Sequence, residues 1–256
     1  MEKLTLVKVG GKIVEEPATL EALLHDFKQI AGYKLLVHGG GRLATDLSER
    51  LGIETKMVEG RRITDSETIK VVTMVYAGLV NKTIVARLQA LDVNAMGLCG
   101  ADINLIRSRK RPVKDIDYGF VGDVEEVQPD VLADLIDQNI VPVVAPITHD
   151  GHGLLLNTNA DTIAGEVAKA LATRFDVQLI FCFEKKGVLS DPDDEESVIK
   201  TITPAEYEQY KSEGIIQGGM IPKLDNAFNA LHCGVREVVI TKASELLRSS
   251  GTRISL

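Results

Sequence analysis

Two short apolar runs near the start of the chain each end in a glycine turn and then pass into a helix-patterned segment. Residues 4–9 (LTLVKV) read as a buried strand that Gly10 and Gly11 end. Residues 18–31 follow with helical spacing, putting Leu20, Leu23, Leu24, Phe27 and Ile30 on one face. Residues 34–38 read as a second strand that runs into Gly39, Gly40 and Gly41, and residues 43–52 return to a helical pattern that stops at Gly52. A strand–helix–strand–glycine–helix order predicts a mainly parallel sheet with helices on both faces, an α/β fold.

The rest of the chain continues this alternation. Residues 54–64 read as a short hairpin or extended loop. Residues 65–90 read as one long helix starting at Thr64 or Asp65, with Glu67 in its first turn. A strand is expected at 93–97, a loop-and-hairpin region at 100–127, a helix after Pro129, and a strand at 140–146 in which Pro142 marks a start or an edge. Residues 158–175, 203–212 and 219–233 read as helices, and 177–183 and 235–240 as strands. With no fixed-period repeat and no low-complexity linker, the chain reads as one α/β unit of two lobes, 1–175 and 176–256.

Composition narrows the partners. With 29 Lys+Arg against 37 Asp+Glu, a formal net charge of −8 disfavours nucleic acid, whose phosphates require basic excess. A small anionic ligand stays open, because a local field can oppose the net charge. Three cysteines, Cys99, Cys182 and Cys233, form neither a disulfide framework nor a zinc spacing. No apolar stretch reaches the roughly 18 residues of a membrane span, and the opening run is too short for a signal sequence. A soluble, cytoplasmic protein is the expectation.

A glycine turn after a strand is often only a turn, but it also lets backbone N–H groups approach an anion. Gly39-x-Gly41-x-x-Ala44 with Glu59 fits a loose dinucleotide fingerprint, yet it lies at the second strand–helix turn and Glu59 follows no clean strand. No GxxxxGK[ST] phosphate loop occurs. Lys8 interrupts an apolar strand, which is costly unless it meets an anion or lies on an exposed edge. Lys223 opens a helix after Gly218 and Gly219. Asn157, Asn159 and Asp161 sit at another helix start, where such residues serve as caps or as ligands.

Taken together, the chain resembles the amino acid kinase family and, within it, the acylglutamate kinases. The resemblance is carried by Val7-Lys8-Val9-Gly10-Gly11, His38-Gly39-Gly40-Gly41, Gly60-Arg61-Arg62-Ile63-Thr64, Asn157-x-Asn159-Ala160-Asp161, Gly219-Met220-x-x-Lys223 and Gly251-Thr252-Arg253-Ile254. It implies a three-layer αβα sandwich, an N-terminal lobe for the acylated amino acid and dimerisation, and a C-terminal lobe for ATP. The implied reaction is phosphoryl transfer from ATP, carrying Mg2+, to the side-chain carboxylate of an N-acylglutamate, acetyl or succinyl, as the second step of arginine biosynthesis. Lys8 and Lys223 would neutralise the transferring phosphoryl group, with Asp161 orienting both. Gly10, Gly11 and Gly40 would donate N–H groups to phosphate. Gly40, Gly41, Arg62 and Asn157 would hold the acylglutamate. Glu184, Lys185, Lys186, Gly187, Val188, Leu189, Ile215, Ile216 and Gln217 would line the nucleotide.

Two places depart from the family pattern. After the buried strand the chain reads Phe183-Glu184-Lys185-Lys186-Gly187-Val188, where relatives have an aspartate and Val-x-Gly. Arg42 follows the three glycines where relatives often have proline, and it is a candidate partner for an extra acyl carboxylate. The alternatives are a sibling kinase acting on another amino acid or on carbamate, and a non-catalytic nucleotide- or arginine-sensing module. The first strand starts near residue 4, without the preceding helix of arginine-inhibited hexamers, so a homodimer without arginine feedback is expected. No metal held by the protein itself is expected. His149 and His152 read as loop residues, and the basic run 107–114 and acidic run 191–196 as solvated faces.

Overall fold

The computed structural model describes residues 1–58, 61–248 and 250–256. The strand β1 (Lys3–Val9) is buried from Leu4 onward on both faces, as an unbroken apolar run requires. It pairs in parallel with β2 (Tyr33–His38) on one side and β11 (Asp176–Phe183) on the other. The sheet extends beyond β2 through β8 (Val141–Val144) to β5 (Ala95–Leu98). Beyond β11 it runs through β13 (Glu237–Lys242) and β14 (Thr252–Ile254) to β12 (Thr201–Ile202). All pairings in this eight-stranded sheet are parallel except β13 with β14. Pro142 is the second residue of β8, an inner strand, so it marks a strand start rather than an edge.

Alternate side chains of β1 enter two separate cores. Leu4 and Leu6 pack with residues of α6 (Pro129–Asp137), α7 (Ala160–Leu171) and α9 (Met220–His232), among them Leu132, Val167 and Leu224. That layer also contains α8 (Pro204–Ser212) through Tyr207. Val7 and Val9 face the opposite layer, formed by α1 (Gly11–Glu15), α2 (Pro17–Gln29), α3 (Gly41–Arg50), α4 (Ser66–Thr73) and α5 (Asn81–Ala90). Leu23, Phe27, Val71 and Ile84 fill it, each burial of this kind contributing about 1.5–3 kcal/mol. The expected three-layer αβα sandwich is the observed architecture.

The long helix expected over 65–90 runs from Ser66 to Ala90, but it is not uniform. Asp65 caps its start by accepting the N–H groups of Glu67 and Thr68. Its middle, Met74–Val80, is wound as a π-helix between α4 and α5, a geometry that often accompanies functional sites. Contrary to the expectation that no stretch reaches span length, this helix is long and apolar enough to cross a membrane by length and composition alone; its inner face, including Val72, Val75 and Leu88, is buried in the core.

A smaller four-stranded sheet holds β10 (Leu155–Asn157), β9 (Ile147–His149), β6 (Ile106–Lys110) and β7 (Gly122–Val127). The expected hairpin at 54–64 is β3 (Met57–Val58) paired with β4 (Arg61–Arg62). Glu59, the acidic residue of the dinucleotide reading, and Gly60 lie outside the described residues. The helix α1 was not expected: five residues without a side-chain cap are too few to show a period. Both glycine turns lie at the carboxyl ends of neighbouring parallel strands, where α/β sheets open a binding crevice.

Candidate active site

Lys8 is the penultimate residue of β1 and is buried, on the face it shares with Leu4 and Leu6. Lys223 lies in the first turn of α9 and is also buried. Asp161, the second residue of α7, bridges them. Its Oδ1 lies 2.7 Å from Lys8 Nζ, and both carboxylate oxygens accept from Lys223 Nζ at 3.1 Å. The two readings of the Asn-x-Asn-Ala-Asp segment therefore divide between residues. Asn159 is the cap, accepting the N–H groups of Asp161 and Thr162 at 2.8 and 3.1 Å, and this leaves the Asp161 side chain for the lysines.

Burial alone would push the Asp161 carboxyl up, but the charges of Lys8 and Lys223 and their hydrogen bonds outweigh it and hold the group down at about 2. Burial, followed by the charge of Lys8, lowers Lys223 from the usual lysine range, and Asp161 offsets part of this. The Lys223 ammonium also lies 5.1 Å from the centre of the Phe181 ring and 5.9 Å from that of Phe183, favourable cation–π placements. Two ammonium groups around one carboxylate leave one positive charge in excess, in a site with little water to screen it.

The two glycine turns are stitched together at the ends of their strands. Gly39 N–H donates to Val9 O at 3.0 Å, and Gly10 N–H donates to Cys182 O at 3.1 Å. Gly10 is thus a correction to the expected donor set: its N–H is taken up by the neighbouring strand. Gly11 instead faces the second turn. A Cβ at Gly11 would sit 3.4 Å from Gly41 N and 3.5 Å from Gly40 N, filling the concavity between the starts of α1 and α3. Helix starts leave such N–H groups without intrahelical partners, so this concavity suits an anion.

Beside it opens a cavity of about 220 Å³ lined by Gly11, Gly40, Gly41, Arg62, Tyr76 and Asn157 among others. Arg62 is buried, and its Nη2 donates to Gly41 O at 2.7 Å and Thr45 Oγ1 at 2.8 Å, tying the β3–β4 hairpin to the start of α3. Asn157 Nδ2 donates to Thr64 Oγ1 at 3.0 Å, which orients the amide. Arg61 and Arg111 also line the cavity, whereas Arg42 is exposed on α3 and is not among the lining residues. Of the two placements open to Arg42, acyl contact or surface, the structure shows the surface one, and Arg61 and Arg111 are the further arginines at the cavity. They come from separate hairpins, and no local pattern pairs them.

The model of the amino acid kinase family matches residues 3–242. The chain belongs to the amino acid kinase family. Within that family it is 68% identical over 253 residues to the acetylglutamate kinase of Bacteroides thetaiotaomicron, covering 99% of this chain and 98% of the relative. It is 69% identical over 253 residues to the acetylglutamate kinase of Phocaeicola vulgatus, with the same coverage. Among solved structures, smu.665 from Streptococcus mutans UA159 superposes with a TM-score of 0.80 at 28% identity, covering 98% of each chain.

On this amino acid kinase, the stretch expected to line the nucleotide is largely committed to internal contacts. Glu184 pairs with Lys12 at 3.2 Å, Lys185 Nζ donates to Pro192 O at 2.8 Å, and Lys186 pairs with Glu196. Gly187 packs against Thr252, whose hydroxyl accepts Val188 N–H at 2.8 Å. Val188, Leu189 and Ile216 are buried, and Val188 and Ile216 belong to the core under α8 and α9. Ile215 is half-buried against the same core, and Gln217 is exposed, with Nε2 donating to Gly214 O. Among the described residues no group of three His, Cys, Asp or Glu is placed to hold a metal.

Proposed function

We propose that the chain transfers the γ-phosphoryl group of ATP to the side-chain carboxylate of N-acetylglutamate, giving an acyl phosphate and ADP in arginine biosynthesis. The observation that carries this reading is the Lys8–Asp161–Lys223 bridge set beside the glycine concavity and the arginine-lined cavity. Its sequence support is the full-length likeness to acetylglutamate kinases.

The mechanism follows from charge. The acceptor carboxylate is ionised at neutral pH, so no general base is required. Asp161, held at about 2, is a poor proton acceptor and serves to orient the lysines. One carboxylate oxygen attacks the γ-phosphorus, the bond to the β,γ-bridging oxygen breaks, and its electron pair leaves with ADP. Two anions must be aligned and their repulsion screened, which is positioning and electrostatics. Lys8 and Lys223 supply the opposing charge. The N–H groups of Gly11, Gly40 and Gly41 line the concavity for phosphoryl oxygens, and its open backbone fits them. Arg62 meets the α-carboxylate and Asn157 the acylamide. Mg2+ carried by ATP would screen the phosphate charges.

ADP release, measured with N-acetylglutamate, N-succinylglutamate, glutamate and aspartate as acceptors, tests the reading. Turnover with N-acetylglutamate and little with the unacylated amino acids is the expected result; no turnover with any acylglutamate overturns it. The succinyl-to-acetyl ratio of kcat/KM reads whether Arg61 and Arg111 favour a second carboxylate on the acyl group. The finer reading also includes a cytoplasmic homodimer. The support for the dimer is the sheet edge at β5, where Met96 and, on the neighbouring long helix, Met74 and Leu79 are exposed.

A further inference from the structure

His38 closes β2 immediately before the three glycines and is fully buried. Both of its ring nitrogens are engaged. Nδ1 lies 2.8 Å from Gly39 O, and Nε2 lies 3.1 Å from Asn81 Nδ2. A carbonyl oxygen only accepts, so Nδ1 carries the proton and Nε2 accepts from the amide. Asn81 is also buried; its Nδ2 donates a second time, to Val143 O at 2.9 Å, and its Oδ1 accepts from Lys82 Nζ at 3.1 Å. Burial, reinforced by the charge of Lys82, holds the imidazole down at about 4, so the ring is neutral in this arrangement.

The carbonyl held by His38 belongs to the Gly39–Gly40 peptide. The chain has no cis peptide bonds among the described residues, and in a trans peptide the C=O and N–H point in opposite directions. Holding Gly39 O against the ring therefore aims Gly40 N–H away from it. Three successive glycines give the backbone little preference of its own, and a flip of this one plane would replace a donor with an acceptor. The π-helical segment walls the same residue: a Cβ at Gly40 would lie 3.1 Å from Tyr76 and 3.3 Å from Val80. Asn81 follows directly after that segment.

We infer that His38 and Asn81 are positioning residues for phosphoryl transfer, locking the Gly39–Gly40 peptide so that Gly40 N–H serves as a donor in the phosphate concavity. This deepens the proposed kinase reading and rests on it. The strut acts through the backbone and touches no substrate. Its effect falls on the transition state, where the charge on the phosphoryl oxygens is being redistributed, more than on acylglutamate binding.

The test compares His38→Asn with His38→Gln in the intact enzyme, recording kcat, the acylglutamate KM and the melting temperature. Asparagine keeps an N–H near the place of Nδ1 and abandons Asn81. Glutamine reaches toward Asn81 and abandons Gly39 O. Removing one transition-state donor outright costs roughly 100- to 1,000-fold in kcat; a plane flipped part of the time in His38→Gln is expected to cost at least about tenfold, with KM changed less than about threefold. His38→Asn restores kcat to within about threefold of the parent, although both variants lose melting temperature through an unpaired buried group. Equal kcat in the two variants, or losses that only track melting temperature, overturns the inference. Should His38→Gln fail to fold, 15N NMR of the parent decides: an Nδ1–H tautomer for His38 supports the strut, and an Nε2–H tautomer overturns it. An inactive parent would instead overturn the kinase reading itself.

Discussion

Replacing Asp161 with asparagine removes one charge from the site while leaving its shape unchanged. In the parent, Asp161 lies 2.7 Å from Lys8 Nζ and 3.1 Å from Lys223 Nζ, and both lysines are buried. Asp161→Asn leaves two ammonium groups facing each other with no countercharge. Breaking a buried ion pair from one side costs about 3–5 kcal/mol. Linkage gives a similar figure. A carboxyl held at about 2 against an ordinary 3.8 contributes on the order of 2–3 kcal/mol. Because the folded value is the lower one, this stability is complete above about pH 4 and is lost as pH falls toward 2. Taking about 3 kcal/mol, a chain of this size should lose roughly 6–12 °C of melting temperature at pH 7. Urea unfolding of parent and variant should show a constant gap from pH 7 to about pH 5, narrowing below about pH 4. Adding MgATP should raise the variant's melting temperature more than the parent's, because the triphosphate brings the missing negative charge. A variant that melts with the parent, keeps its kcat and gains no more from MgATP would refute the charge argument.

Lys8→Ala and Lys223→Ala should each lower kcat by about 100- to 1,000-fold, with smaller changes in KM, because both act on charge in the transition state. Unchanged kcat in steady-state ADP release would remove them from the chemistry. Arg62→Ala should raise the acylglutamate KM about 10- to 100-fold, the loss of a charge-assisted contact, and an unaltered KM would place the α-carboxylate elsewhere. Met96→Glu at the sheet edge should convert a dimer to a monomer in light scattering; a parent already monomeric would refute that interface.

Much of the layered fold could be read along the chain because its signals are local. Glycine ends strands, and apolar spacing marks helices such as α2 and α7. The π-helical middle of the long helix was not legible, because an apolar stripe does not reveal the hydrogen-bond step. Strands β12 and β14 were too short to show alternation. At the site, Lys8 stood out as a charge in an apolar strand, and Lys223 and Asp161 as polar groups at helix starts. That Gly10 loses its N–H to Cys182 depends on β11 lying beside β1, a contact between segments some 170 residues apart. His38 was legible as part of its glycine motif, but its pairing with Asn81 was not, for the same reason: packing joins segments that lie far apart in sequence. The role of Val188 and Leu189 was not legible, because buried apolar residues look alike whether they line a ligand or a core.

The central place of β1 also bears on how the protein is made. The strand leaves the ribosome ahead of its partners and pairs early with β2, which follows within a few dozen residues. Its other edge belongs to β11, which begins only at Asp176. At a synthesis rate of about 5–20 residues per second, that edge waits roughly 10–30 s with its hydrogen-bonding groups unmatched. During this interval the nascent chain presents an open apolar strand edge, the kind of surface on which chains join one another. Chains not yet extended to β11 would therefore be the stage most exposed to aggregation and most dependent on chaperones. A gene split before β11 would give a C-terminal fragment whose β11 lacks its central neighbour.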